Sequence, residues 1–60
     1  MNIRTFIGVS TGALETAVEM AETIAQSLLG RLSSAELFSV QAQSISDQNG
    51  YTHIITVVYA

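Results

Sequence analysis

The chain has 60 residues, no cysteine, no proline and a formal net charge of −3 at pH 7, so we expect one domain over residues 1–60 with neither a disulfide nor a metal site. Its lysine and arginine content is limited to Arg4 and Arg31, too few to bind a nucleic acid backbone or an anionic membrane surface. No apolar run approaches the roughly 18 residues of a membrane span, and the start lacks the apolar core of a signal peptide, so we expect a cytoplasmic protein.

The first two predicted elements are a strand and a long helix. Residues 3–10 alternate between two faces, with isoleucine, threonine and valine on one of them, which is typical of a strand. Ser10-Thr11-Gly12 then supplies hydroxyls and a flexible residue where a helix can begin. From Leu14 to about Leu32 the apolar residues lie within an arc of roughly 140°. This spacing predicts an amphipathic helix, and three alanines on its apolar side allow it to approach a sheet closely.

The rest of the chain predicts a hairpin of two strands, over residues 36–45 and 51–60. Both segments return to a two-residue period, and Asn49-Gly50 between them is a strong signal for a type I′ turn. That turn predicts that Ile45 lies opposite Ile54. The sequence thus predicts the α+β class: a single βαββ unit whose three-stranded antiparallel sheet carries one amphipathic helix on one face.

The predicted hairpin has two unlike faces. The more continuously apolar face, which we expect to contact the helix, contains Val40, Ala42, His53, Ile55, Val57 and Tyr59. The reverse face contains Leu37, Ile45, Ile54 and Val58 among Ser39, Gln41, Gln43, Thr52 and Thr56. A sheet face that no helix covers is ordinarily polar. The aliphatic residues on the reverse face therefore need an explanation.

Two explanations fit the reverse face. Valine, isoleucine and threonine are good strand formers, and scattered aliphatic side chains on a surface are common. The alternative is that this face is buried against another subunit or a flat ligand. We favour burial, because one helix and three strands form a small unit and self-association is a common remedy for a small core. The predicted oligomer interface is Leu37, Ile45, Ile54 and Val58.

No catalytic constellation is present in the sequence. The acidic stripe of Glu15, Glu19 and Glu22 is typical of a solvated helix face, and His53 is the only imidazole. Ser46 beside His53 is the one conceivable nucleophile and base pair, although a histidine packed at the edge of the core is the simpler interpretation. The junction at Ser10-Thr11-Gly12 is a further candidate for anion binding, because free N–H groups at the start of a helix can hold an anion; every strand-to-helix junction offers this much.

The order of elements and four short segments resemble the dodecins, small flavin-binding proteins that assemble as hollow dodecamers. The segments are Val9-Ser10-Thr11, Glu15-Thr16-Ala17-Val18, Leu37-Phe38-Ser39-Val40 and Asn49-Gly50. The resemblance implies a flavin site, with two departures: Leu37 stands where a dodecin has the tryptophan that stacks on the flavin, and Thr56 where it has a glutamine that binds the ring edge. Small sporulation-associated proteins of bacilli share a similar order of elements.

Two functions follow as expectations. The first is a non-enzymatic, homo-oligomeric protein that binds or stores a small flat molecule, such as a flavin or a nucleotide. Its predicted ligand-binding residues are Leu37, Gln41, Gln43, Ile54 and Thr56. The second is a structural or interaction module, for example a phage or bacterial regulatory or defence-inhibitor protein, whose reverse face contacts another protein. An enzyme dependent on His53 is a more distant third.

Overall fold

The chain folds into one sheet and one helix. A computed structural model describes all residues from Met1 to Ala60 and contains β1 (Asn2–Ser10), α1 (Leu14–Leu29), β2 (Leu37–Asp47) and β3 (Gly50–Tyr59). The three strands form one antiparallel sheet in the order β1-β3-β2, and α1 packs against β1 and β3. The predicted α+β architecture with a βαββ order is confirmed.

The central strand β3 contributes most of the sheet's core residues. His53, Ile55 and Val57 are buried on the side that contacts α1, while the residues between them are only half-buried. This alternation follows from the two-residue period of a strand. The hydrophobic core comprises Phe6, Ala21, Ala25, Leu28, Ile55 and Val57.

The helix lies directly on β1 at Gly8. A Cβ atom on Gly8 would overlap the carbonyl oxygen of Ala17 and would lie 2.7 Å from the amide nitrogen of Ala21. Ala17, Ala21 and Ala25 are themselves completely or almost completely buried. The predicted close approach of helix and sheet is therefore confirmed, and it depends on small residues on both elements.

Both ends of α1 are fixed by short-range hydrogen bonds. At the start, the Ser10 hydroxyl oxygen accepts hydrogen bonds from the backbone N–H groups of Gly12 and Ala13, at 3.2 and 3.3 Å. At the end, the N–H groups of Arg31 and Leu32 bond to carbonyls three residues earlier. This tighter pattern ends the helix before the predicted Leu32. No helix in the structure combines the length and the apolar character that crossing a membrane requires.

The hairpin turn differs from the predicted one. Asp47 lies opposite Gly50, so the two turn residues are Gln48 and Asn49 rather than Asn49 and Gly50. The Asp47 carboxylate accepts a hydrogen bond of 2.8 Å from the backbone N–H of Asn49. Neither turn residue has a positive φ, as a type I′ turn would need, and the only positive φ, 131°, is at Gly50.

The different turn shifts the pairing of β2 and β3 by two residues. Ile45 therefore lies opposite Thr52 and not opposite Ile54 as predicted. Because side chains alternate with a period of two, a shift of two leaves every residue on its predicted face. The prediction of register is wrong, and the prediction of faces survives it.

A bulge at the start of β2 overturns the predicted position of Leu37. Leu37 lies opposite Tyr59 and Ser39 opposite Val58, so Phe38 is the extra residue. One inserted residue inverts the alternation on one side of it. Leu37 consequently packs against the core on the helix side, and its predicted placement on the reverse face is wrong.

The helix does not cover β2. Val40 is 46% exposed and Ala42 is also exposed, although both were expected beneath the helix. A helix is about 10 Å across, and neighbouring strands lie about 4.8 Å apart, so a helix centred over β1 and β3 does not reach the third strand. Beyond Leu37, which packs against the core, the outer strand β2 is therefore uncovered on both faces.

The loop between α1 and β2 is tied together by Glu36. Its carboxylate accepts a hydrogen bond of 2.9 Å from the Ser33 backbone N–H, and its own N–H donates to the Ser33 carbonyl at 3.0 Å. The backbone hydrogen bond from Ser33 holds the pKa of Glu36 below its ordinary value. The Glu36 carbonyl in turn accepts a bond from Ala60, which links this loop to the end of β3.

The contact at Gly8 predicts a large effect of a single methyl group. We expect Gly8→Ala to lower the free energy of unfolding by about 1–3 kcal/mol, because the added Cβ must push α1 away from β1. Urea unfolding followed by circular dichroism measures the change. Gly12→Ala is the matched control, since a Cβ there meets nothing within 4 Å. Equal stability of the two variants would contradict the close contact.

Candidate functional site on the open sheet face

The sheet face turned away from α1 is uncovered, and we call it the open face. It presents four cross-strand rows, each with one residue from β1, β3 and β2. In that order the rows are Ile3, Val58 and Ser39; Thr5, Thr56 and Gln41; Ile7, Ile54 and Gln43; and Val9, Thr52 and Ile45. None of these side chains carries a charge.

Aliphatic side chains on the open face are unusually exposed. Ile3 is 64% exposed, Val9 55%, Ile7 52% and Ile45 44%. Ile54 and Val58, on the central strand, are half-buried by their neighbours. The row of Thr5, Thr56 and Gln41 interrupts these aliphatic residues, but a group of exposed apolar side chains marks an interaction site more often than does a single one.

Three of the four predicted interface residues lie on the open face. Ile45, Ile54 and Val58 are there, whereas Leu37 is on the opposite side. Sequence reasoning missed the contribution of β1, whose Ile3, Ile7 and Val9 extend the apolar surface. Their alternation was visible in the sequence. What it could not supply was the pairing of β1 with β3, which joins that apolar face to the hairpin.

Four of the five predicted ligand-binding residues lie around one shallow hollow on the open face. Gln41, Gln43, Ile54 and Thr56, together with Ala42, line a cavity of about 110 Å³. An isoleucine provides an apolar wall, while each glutamine amide and the threonine hydroxyl can both donate and accept hydrogen bonds. This combination fits a flat ring that has polar atoms on its edge.

The hollow on one chain is small for a complete ligand site. Ligand pockets usually enclose about 300 Å³ or more and bury most of the ligand. A flat molecule in a cavity of about 110 Å³ would leave one side in water. A second surface is needed to cover it.

His53, the only histidine, lies on the helix side of the sheet. Its hydrogen-bond partner is Ser44 and not Ser46, the serine considered in the sequence analysis. The Ser44 hydroxyl and the His53 Nδ1 atom lie 2.7 Å apart, whereas Ser46 lies opposite Tyr51. The two-residue shift of the hairpin accounts for the exchange. His53 is 8% exposed, and its hydrogen bond to Ser44 makes it a satisfied residue at the edge of the core.

The largest cavity lies elsewhere, at the end of the sheet between the hairpin turn and the start of α1. It measures about 510 Å³, and its lining includes Ser10, Asp47 and Tyr51. The amides that could hold an anion there, at Gly12 and Ala13, already donate to the Ser10 hydroxyl. The nearby Asp47 carboxylate would also repel an anion, which disfavours an anion site at this junction.

Metal ligands are not clustered in this structure. No three histidine, aspartate or glutamate side chains lie close enough together to hold a metal ion. Glu15, Glu19 and Glu22 are exposed on α1.

No protein-family model matches the chain, and no curated protein or solved structure matches it significantly. The likeness to the dodecins remains one of short segments and element order. Within that likeness, Thr56 lies beside the hollow, but Leu37 lies on the other side of the sheet. Leu37 stands at the position that the resemblance assigns to ring stacking. It therefore cannot contact a ring bound on the open face.

The hydrogen bond between Ser44 and His53 predicts a stability effect specific to one of two neighbouring serines. We expect Ser44→Ala to lower the free energy of unfolding by about 1 kcal/mol, because His53 Nδ1 loses its partner in a buried position. Ser46→Ala is the control, since Ser46 is exposed. Chemical denaturation measures the stability, and the ¹⁵N shift of His53 Nδ1 should change only in Ser44→Ala. An unchanged shift in that variant would rule out the bond.

Proposed function

We propose that this chain is a non-enzymatic, homo-oligomeric protein that holds a small flat molecule between the open faces of two copies. One observation carries the proposal: an uncharged sheet face, half of whose residues are aliphatic, contains a hollow edged by two glutamine amides and a threonine hydroxyl. The apolar part supports association, and the polar edge supports recognition of a ligand.

The small core supports association. The buried apolar residues include three alanines, and Val57 is the largest side chain that is fully buried. Burial of apolar surface stabilises by about 25 cal/mol per Å². Covering Ile3, Ile7 and Val9, which are all more than half exposed, would add stabilisation that the single chain lacks.

The chemistry of the hollow supports a ring with hydrogen-bonding groups on its edge, such as a flavin or a nucleobase. Gln41 and Gln43 can each pair with an amide-like edge, because a carboxamide has a donor and an acceptor side by side. None of the residues in the four cross-strand rows of the open face is aromatic. Ring contact would therefore come from aliphatic groups such as Ile54, without the stacking contribution of about 1 kcal/mol that an aromatic neighbour adds.

Charges on the open face should separate the copies. We expect Ile54→Asp and Val58→Asp to lower the native mass measured by light scattering, because each would bury an unpaired carboxylate at the interface. The hairpin should remain folded by circular dichroism. Ile24→Asp is the matched control, since Ile24 is 45% exposed on the helix. If both open-face variants keep the wild-type mass, the assembly does not use this face.

Ligand binding is tested with riboflavin, flavin mononucleotide and adenosine. We expect saturable binding of at least one, followed by fluorescence quenching for the flavins and by calorimetry for adenosine. Gln43→Ala should weaken it about fivefold, the equivalent of one hydrogen bond of about 1 kcal/mol. Gln26→Ala, on the exposed side of α1, should leave it unchanged. Association through the open face with no binding in this panel would favour the alternative, an interaction module that contacts a protein.

A further inference from the structure

The helix side of the sheet contains a cavity beside the helix. Because α1 covers β1 and β3 but not β2, a groove is left between the helix and the outer strand. It measures about 350 Å³, within the range of cavities that hold small molecules. The groove lies on the other side of the sheet from the open face, so the proposed contact between open faces leaves it accessible.

Apolar side chains from three elements line the groove. They are Leu29 of α1, Val40 and Ala42 of β2, and Ile55 of β3. Ile55 is buried in the core and Leu29 is half-buried, but Val40 is 46% exposed. An apolar molecule in the groove would therefore take Val40 out of water, which is favourable.

His53 presents one nitrogen atom to the groove. The ring lines the cavity and is 8% exposed, and its Nδ1 atom is bonded to the Ser44 hydroxyl. The Nε2 atom has no partner within the chain. Since no buried side-chain nitrogen or oxygen lacks a partner, Nε2 is accessible from the groove. A ring that is more than nine-tenths buried thus offers a free hydrogen-bonding atom there.

The charge in the groove is negative. Glu22 and Gln26 line it from α1, one helical turn apart and therefore on the same side of the helix. Glu22 supplies the only charge in the lining, because neither of the two basic residues of the chain, Arg4 and Arg31, is part of it.

The polar and apolar residues lie towards opposite ends of the groove. His53 pairs with Gly8, which contacts the turn of α1 just before Glu22. The helix follows β1 and packs back along it, so Leu29 lies about two turns further from this end. On the outer strand, Val40 is four residues away from the position opposite His53. One end of the groove is therefore polar and the other apolar.

We propose that this groove is a second ligand site, which binds a small amine: a molecule with an apolar body and a protonated nitrogen. The body would lie against Leu29, Val40 and Ile55. The ammonium group would donate hydrogen bonds to the Glu22 carboxylate and to His53 Nε2. A ligand with a carboxylate head is disfavoured, because Glu22 would repel it.

Ser44 holds the histidine ring in the form that this ligand requires. A neutral imidazole carries its proton on one nitrogen and accepts through the other. For Nε2 to accept from an ammonium group, the proton must be on Nδ1, where it can donate to the Ser44 hydroxyl oxygen 2.7 Å away. The bond to Ser44 thus prepares Nε2 as an acceptor.

Three compounds with similar apolar bodies and different heads test the proposal: 2-phenylethylamine, 2-phenylethanol and 3-phenylpropionate. We expect saturable binding of the amine with a Kd of about 10 mM or lower, the weakest that nine non-hydrogen atoms should give. The alcohol should bind about fivefold more weakly, and the carboxylate should not bind. Amide shifts of the whole protein measure the affinities, and the ¹⁵N shift of His53 Nε2 should move with the amine.

Two glutamate variants remove the same charge at different places. Glu22→Gln should weaken binding of 2-phenylethylamine about fivefold and leave that of 2-phenylethanol unchanged, since only the amine pairs with the carboxylate. Glu19→Gln is the matched control and should have no effect, because Glu19 is exposed on α1 outside the groove. Circular dichroism should show both variants folded as the wild type.

Two further variants locate the binding. Ala42→Leu should abolish binding of the amine by filling the groove, at a position that is exposed and therefore tolerant. Gln43→Ala, which alters the hollow on the open face, should leave it unchanged. Absence of saturable amine binding, equal binding of amine and carboxylate, or equal losses in Glu22→Gln and Glu19→Gln would each overturn the proposal. These outcomes do not depend on whether flavins bind the open face.

Discussion

The direct contact between the backbone of α1 and Gly8 of β1 determines how the rest of the molecule is arranged. A glycine in the strand and alanines at positions 17 and 21 of the helix bring the two elements closer than larger side chains would permit. This contact fixes the helix over β1 and β3. The third strand is consequently left outside the layer that the helix covers, and the side of the sheet opposite the helix has no covering at all.

A single helix thus leaves two different surfaces uncovered. The open face has apolar side chains in contact with water, and the outer edge of β2 has backbone groups without partners in the chain. Water satisfies backbone groups well but aliphatic surface poorly. The open face is therefore the surface with the larger energetic reason to be covered.

The sequence predicts the element order and most face assignments because both depend on periodicity. The turn was misplaced because Asn49-Gly50 competes with Asp47, whose carboxylate binds the Asn49 amide and places the turn one position earlier. That error moved the register by two and left the faces unchanged. The bulge at Phe38 moved Leu37 by one position and therefore to the other face. Short motifs predict neither a bulge nor how many strands one helix can cover, so part of the candidate site was visible only in three dimensions.

The strand order has a consequence for how the chain acquires its fold during synthesis. β3 is the last element in sequence and the central strand of the sheet. While β1, α1 and β2 emerge from the ribosome, neither outer strand has a neighbour to pair with, and the alanine side of the helix has only β1 to contact. The sheet can therefore form only after translation reaches the final strand, and folding of this domain is a late, nearly single event.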